Sequence, residues 1–350
     1  SYSVTGVQTC ALPISLIDIM PSYSNNWKVC LKFSPVSNLI LSNSKAINYF
    51  TRIELLDEDP GTIEALWELP GAVSLLNKQQ KDGSWKYSGG KEEIRSQMNY
   101  NQLETYRIMR VLIEKYGLNS TNNAISRACE FLFSFQTDEG DFRGIYGNEY
   151  TPNYSAGIME MLIKAGYGKD DRIDLGINWL LSMRQNDGGW AIPFRTTKCK
   201  ISDVFYKNEQ TEPIKNDPTK PSSHLVTGIV LRAFAAHGHY RKSNEIRKAG
   251  AFLKSQFFKK DNYTDHGSPE YWGKLAYPFW WTDIVSSLDS LSKLKFTKED
   301  CDIKIGLDYL IENQRPDGTW KVYYGLPKDD ENDLWITLAI CRLFKRFYSI

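Results

Sequence analysis

The chain has 350 residues, 41% hydrophobic and 24% charged, with 43 basic residues against 42 acidic ones and a formal net charge of +1. It is long enough to bury a large core, and so even a charge balance gives no basis for a nucleic acid or an anionic membrane as partner. No apolar run approaches the ~20 residues that span a bilayer, so no transmembrane segment is expected. Six cysteines, at 10, 30, 129, 199, 301 and 341, form no CxxC pair and follow no regular spacing. They read as free thiols in a reducing compartment, which makes a cytoplasmic location the expectation.

Along the chain, Val4-Thr-Gly-Val-Gln-Thr-Cys-Ala-Leu-Pro-Ile14 looks like the translation of a sequencing adaptor, and residues 1–14 are set aside as an artefact. Residues 15–43 read as an irregular lead-in. Ser44 then caps a helix to about 56, which the run Asp57-Glu58-Asp59-Pro60-Gly61 breaks. A helix from about 62, interrupted at Pro70, follows. From there the pattern is a series of helical hairpins: 96–116 with 122–135, 152–165 with 172–183, 222–236 with 241–257, and 278–294 with 298–313, closed by a last helix over 333–347.

Between hairpins a short motif recurs. Gln79-Gln80-Lys81-Asp82-Gly83-Ser84-Trp85, Arg184-Gln185-Asn186-Asp187-Gly188-Gly189-Trp190 and Gln314-Arg315-Pro316-Asp317-Gly318-Thr319-Trp320 are close copies. Gln136 to Phe142 is a looser copy, and Gln256 to Tyr263 keeps an outline. Recurrence at roughly 50 to 70 residues is the signature of a helical-hairpin array. The glutamine is expected to bond unpaired helix-end carbonyls, Asp-Gly to make the turn, and the tryptophan to pack on the neighbouring hairpin.

The first helices of the hairpins share a register marked by Thr105, Ser155, Thr227, Thr282 and Thr337. They are apolar on most of their circumference and must be buried on both sides. Their partners carry apolar residues at i, i+3, i+4 and i+7 only, as in an outer layer facing water. The expected fold is therefore all-α, an α/α toroid of about six inner and five to six outer helices, formed as one domain by residues 44–350.

These motifs resemble the QW repeats of the terpenoid cyclase and protein prenyltransferase superfamily, the repeat pattern running from about Ser44 to Tyr348. More narrowly, Ser223-His-Leu-Val-Thr-Gly-Ile-Val-Leu-Arg-Ala-Phe-Ala-Ala236 and Tyr271-Trp-Gly-Lys-Leu-Ala-Tyr-Pro-Phe-Trp-Trp-Thr-Asp283 look like prokaryotic single-toroid prenyltransferase and squalene oxidase repeat proteins. The resemblance implies the toroid. The acid motif of class II cyclases, D-x-D-D, is absent; Asp57-Glu58-Asp59 and Asp300-Cys301-Asp302 approach it without the last aspartate. The cluster Asp329-Asp330-Glu331-Asn332-Asp333 matches the D-D-x-x-D of class I synthases, but reads as a solvated loop in which Asp333 caps the following helix. None of the four histidines (224, 237, 239 and 266) pairs with an aspartate–cysteine set of the prenyltransferase kind, so neither a metal nor a cofactor is expected.

In a toroid the N-terminal turns of the inner helices face the open end of a central cavity. That selects a rim of Asn101, Glu104, Tyr154, His224, Trp280, Trp281 and Trp335, with Asp283 one step further in. Asp283 is the first candidate for a general acid, since burial behind Trp280 and Trp281 would raise its pKa; Glu104 is the second, and His224 could hold either acid's proton. Asn101, Tyr154 and the three tryptophans would contact an apolar ligand and stabilise a cation. Against this, a carboxylate at such a position also serves as a helix cap and the tryptophans as core. A second column, Arg110, Glu160, Arg232, Ser287 and Arg342, is expected to complement helix C-termini, or to meet an anionic head group. The long connection 190–222 is expected to be either a lid over the cavity or a variable surface loop, and 259–276 to join it. Three functions fit: an enzyme protonating an isoprenoid or other large apolar substrate, a non-catalytic toroid binding a lipid or peptide, and a carbohydrate-active toroid with Glu104 and Asp283 as paired carboxylates.

Overall fold

Local chemistry starts each helix in the computed structural model, which describes residues 23–91, 93–145, 147–197, 212–263, 266–324 and 331–348. The stretch 1–14, Cys10, Cys199 and the Asp329–Asp330 half of the acidic cluster lie outside them. Helix α1 spans Val36–Ile40, and α2 spans Lys45–Leu55 behind the Ser44 cap. After a 3-10 turn at Ile63–Leu66, α3 (Pro70–Leu76) begins with proline in its first turn, where a missing N–H costs nothing. Ser96, Asn122 and Asp170 cap α4 (Gln97–Tyr116), α5 (Asn123–Phe133) and α7 (Asp171–Ser182), each through a side-chain oxygen. Between them, α6 (Pro152–Leu162) runs into a π turn at Ile163–Tyr167. After the short α8 (Pro193–Thr196), Ser223 caps α9 (His224–Ala236) and Ser243 caps α10 (Asn244–Ser255). The series ends with α11 (Ile284–Lys293), α12 (Cys301–Glu312) and α13 (Asn332–Tyr348).

Six of these helices close a ring. Each packs on the next in the order α2, α4, α6, α9, α11, α13, and α13 returns to α2. Helices α3, α5, α7, α10 and α12 pack outside, and the N-terminal 3-10 helix Tyr23–Cys30 and α1 cover α13. The described part of the lead-in thus holds two short helices joined by irregular turns and belongs to the outer layer. The inner helices are buried nearly throughout: α9 keeps only Leu225 and Ala236 from full burial, as its all-round apolar sequence requires.

The recurring motif joins neighbours through a fixed bonding pattern. Gln79 Nε2 donates to the Gly83 carbonyl of its own turn (2.9 Å) and to Ala124 at the start of the next outer helix (2.7 Å). Gln136 does the same with Gly140 and Arg172, at 2.9 and 2.8 Å. Gln314 bonds Gly318 and the carbonyl of Phe33 (2.9 and 2.8 Å), and its Oε1 accepts the Phe33 N–H, so the last motif grips the first segment and seals the ring. The helix-end carbonyls expected to go to glutamine go instead to the indoles. Trp85, Trp190 and Trp320 donate Nε1–H to Leu75, Leu180 and Leu310, each ten residues back. All three tryptophans are buried. Motif glycines have φ of +89° (Gly83), +106° (Gly140) and +83° (Gly318), and a Cβ there would lie 2.4 to 2.8 Å from a carbonyl oxygen of the adjoining segment. Both the left-handed turn and the close approach demand glycine.

The shared Thr/Ser column is part of the same joint. The backbone N–H of Trp85, Phe142, Trp190 and Trp320 donates to the side-chain oxygen of Thr105, Ser155, Thr227 and Thr337, at 3.0, 3.0, 3.0 and 3.1 Å. Thr282 does not belong to this column. The helix expected from 278 begins at Ile284, because Asp283 forms its cap and a capping box with Ser286, and Thr282 instead donates to Leu225 O (2.5 Å). By spacing the corresponding position is Ser287, four residues after Asp283 as Thr105 is after Asn101, but its buried Oγ has no partner among the described residues, so the joint is missing at this helix. Trp280 and Trp281 therefore lie on a non-helical segment before the helix.

Candidate functional site: the aromatic mouth of the toroid

Four residues before the Thr/Ser column lies a second polar column, Asn101, Thr151, Ser223, Asp283 and Asp333. Asn101 Oδ1 accepts the Tyr87 N–H (3.1 Å), Asp333 Oδ1 that of Val322 (2.8 Å) and Asp283 Oδ2 that of Ala276 (3.0 Å). These residues pin the extended segments across the mouth of the ring. Asp283 is fully buried, and its Oδ1 accepts the Ser286 N–H at 2.7 Å. Burial pushes its carboxyl up to about 6 against those hydrogen bonds and the nearby Arg232. Both carboxylate oxygens are engaged by backbone, so the geometry matches that of a cap.

The pinned segments shape a cavity of about 370 Å³ between α4 and residues 276–281. Tyr87, Tyr277, Trp280, Trp281 and Tyr324 form aromatic walls, Leu103 and Val111 add aliphatic surface, and Arg107 and Arg110 are its charged members. Trp280 lies against Tyr106 (ring centroids 5.7 Å) and under the Arg110 guanidinium (4.6 Å). Trp281 stacks on His266 (5.4 Å), meets Tyr324 edge-on (4.1 Å) and donates its indole N–H to Lys274 O. Of the rim residues read from sequence, Trp280 and Trp281 line this cavity.

The others are placed elsewhere. Glu104 pairs with Arg107 at 3.1 Å and is not itself among the residues lining the cavity. His224 is buried against Trp272 (4.6 Å) with Nδ1 3.2 Å from Asp261 Oδ2, and burial lowers its pKa although Asp261 opposes that. Asp261 also accepts from Ser223 Oγ and the Leu225 N–H, replacing the joint that the degenerate motif at 256–263 has lost. Tyr154 is half-buried against the core, and Trp335 is buried and stacked on Tyr277 (5.9 Å, 6°). The structure does not bring Glu104, His224 and Asp283 into contact with one another. The acidic runs away from the mouth are ion-paired: Asp57 with Lys345, Glu58 with Arg52, and Asp300 and Asp302 with Lys254. Among the described residues no group of three histidine, cysteine or carboxylate side chains could hold a metal ion, and no helix is long and apolar enough to cross a membrane.

Below the mouth the ring axis is charged. Glu160 bonds Arg232 (2.9 Å) and Lys164 (2.6 Å), and Lys164 also reaches Glu114 (2.5 Å). Burial alone would raise the Glu160 carboxyl, but these cations outweigh it and hold it at about 2. Asp289 lies between Lys293 and Arg346, and Arg342 pairs with Glu54 and contacts the Tyr277 hydroxyl. The arginine column expected to serve helix C-termini therefore points into the interior: Arg232 and Arg342 neutralise carboxylates, while Arg110 donates to the carbonyls of Pro278 and Phe279. Sequence reasoning missed one further group. Glu149, just ahead of α6, is buried with Oε1 unpartnered, and burial pushes its carboxyl up to about 7 against hydrogen bonds from the backbone of Ile214 and Phe194. No periodic signal marks it, since it lies in a connection.

A closed ring of inner helices, joined by glutamine–tryptophan turns to an outer layer, is an α/α toroid, consistent with the resemblance of its repeats to the terpenoid cyclase and prenyltransferase superfamily. Residues 163–321 match the family model of the squalene-hopene cyclase C-terminal domain. Among solved structures, the chain is similar to the type II terpene cyclase MstE from Scytonema in complex with geranylgeranyl dihydroxybenzoate, at 13% identity over 90% of this chain and 85% of that one, TM-score 0.42. It is also similar to a protein from Actinoplanes (17%, 81% and 87%, TM-score 0.41), and to an alpha-amylase from Clostridium perfringens (14%, 89% and 85%, TM-score 0.40). At these identities no activity transfers from any of them.

Proposed function

We propose that this terpenoid-cyclase-like toroid binds a small ligand with a flat, apolar body in its aromatic mouth, without protonating it. One observation carries the reading: the cavity walls contain five aromatic rings and two guanidinium groups, and no carboxylate. Protonating an alkene needs an acid within hydrogen-bond reach of the reacting carbon, whereas stacking on tryptophan and tyrosine needs only the rings. About 370 Å³ lies at the lower end of the range for small-molecule sites, and the ion pairs below it oppose deeper entry. A large polyene is therefore a poorer fit than a compact ligand.

One observation favours the alternative of a cyclase. Asp283 is buried near the mouth and its carboxyl is raised to about 6, within the range of a useful proton donor. Native mass spectrometry of the purified protein, with turnover assays on squalene and polyprenyl diphosphates, separates the two. Binding without chemistry predicts a retained compound that Trp280→Ala loses, and no product. Turnover that disappears in Asp283→Asn would establish the cyclase instead.

A further inference from the structure

Arg110 is the buried cation of the mouth that no carboxylate touches among the described residues. It is 6% exposed, so its guanidinium has lost most of its water. Unlike Arg232 and Arg342, it forms no ion pair among the described residues. Its Nη2 is held by the Pro278 and Phe279 carbonyls, and its plane lies over Trp280. Nε and Nη1 make no hydrogen bond among the described residues, and the side chain lines the cavity. Burial lowers its pKa and the neighbouring Arg232 adds to that, while Tyr106 and the more distant carboxylates of Glu160 and Glu114 oppose it. Arg232 has an unmet donor too: Nη1 reaches Trp281 O (3.2 Å), while the fully buried Nη2 has no partner. A buried cation without a directly bonded counter-ion is costly, and carbonyl dipoles, ring faces and carboxylates beyond contact distance repay only part of that cost.

We infer that the mouth takes a ligand with an oxyanion head, a carboxylate or a phosphate, seated on Arg110, its flat apolar body lying between Trp280, Trp281 and Tyr87. This rests on the binding reading above and specifies the class of compound. Arg107, lining the same cavity, adds positive charge at its entrance although Glu104 partly balances it. With no carboxylate among the cavity's lining residues, an anion meets attraction from the entrance to the floor, and low-dielectric aromatic walls strengthen it.

Three probes of one shape test this by quenching of tryptophan fluorescence: 2-naphthoate, 2-naphthyl phosphate and the uncharged 2-naphthalenemethanol. The expected result is that one or both anions bind at least roughly tenfold more tightly than the alcohol, the advantage of a charge-assisted hydrogen bond over a neutral contact. Added salt should erode that preference and leave the alcohol unaffected. Arg110→Gln should abolish the preference while keeping alcohol binding. Arg110→Lys should retain most of it, and together with the salt series it decides the matter if the glutamine variant does not fold. Which anion binds better identifies the head group. Equal affinity of anions and alcohol for the wild type would overturn the oxyanion and leave the binding reading standing. No quenching by any probe, with no ligand retained on purification, would sink both.

Discussion

Thr227→Val isolates the joint that builds the toroid. Valine keeps the shape and the methyl contacts of threonine and removes one oxygen, which accepts the Trp190 N–H at 3.0 Å. Trp190 is fully buried, so water cannot replace that acceptor. Its carbonyl is safe, because the Ser223 N–H donates to it at 2.9 Å. The loss is thus one orphaned buried donor, about 1–3 kcal/mol. Thr105→Val and Thr337→Val should cost similar amounts, since they orphan the Trp85 and Trp320 N–H groups. Thr282→Val is the control. In the alignment of repeats it looks equivalent, yet its hydroxyl donates to the carbonyl of Leu225, which lies in the first turn of α9 and has a helical partner four residues on. Its loss should stay below about 1 kcal/mol. Equilibrium urea unfolding, read by tryptophan fluorescence with the slope unchanged, gives the differences. If Thr227→Val costs less than about 0.5 kcal/mol, or Thr282→Val costs as much as Thr227→Val, the assigned register is wrong.

Three further outcomes follow from the buried charges and the seam. The folded carboxyl of Asp283, at about 6, lies above its unfolded value near 3.8, so its share of stability is full below about pH 4 and is lost as pH rises through 6; the stability difference between wild type and Asp283→Asn should change across that window and level off above it. Glu160→Gln leaves Arg232 and Lys164 facing a neutral amide, and should destabilise by about 3–5 kcal/mol in chemical denaturation. Gln314→Ala removes all three hydrogen bonds between the last motif and Phe33 or its own turn; about 1–3 kcal/mol should be lost, with hydrogen exchange rising first in α1 and the 3-10 helix Tyr23–Cys30.

The frame was legible because its signals are periodic. Apolar inner helices, amphipathic outer ones and a turn that repeats with its glutamine, glycine and tryptophan at fixed offsets each have one physical solution. The register failed at the fifth hairpin for an identifiable reason: Thr282-Asp283 imitates the Thr/Ser spacing, but a buried aspartate with serine three residues on makes a better helix start than the aromatic run before it. That five-residue slip carried Trp280 and Trp281 onto a helix they precede. Arg110 was visible as a column member, but its lack of a direct ion pair could not be, since ion pairing across the ring depends on which helix faces which. A signal for the charged axis did exist. Glu114, Lys164 and Arg346 stand nine residues after the shared Thr/Ser on otherwise apolar faces, and a charged residue on a helix buried all round must face a partner inside the ring.

The polarity of that axis narrows what this toroid can enclose relative to what its frame permits. A ring of apolar helices can enclose a long hydrocarbon only if its interior is empty and oily. Here Glu160, Arg232, Lys164, Asp289 and Lys293 place hydrogen-bonded charge on the inner helices. A ligand pushed past Arg110 would separate those pairs, and each carboxylate or cation left alone would cost several kcal/mol, comparable to the gain from burying two or three aliphatic side chains. Entry beyond the mouth therefore returns no free energy. The same ion pairs lock the inner helices to one another beneath the cavity, so the aromatic walls, pinned from above by Asn101, Asp283 and Asp333, stand on a base with little freedom to adapt. Selectivity for a short, flat, anionic ligand is the property that such a rigid, shallow and positively charged mouth would have.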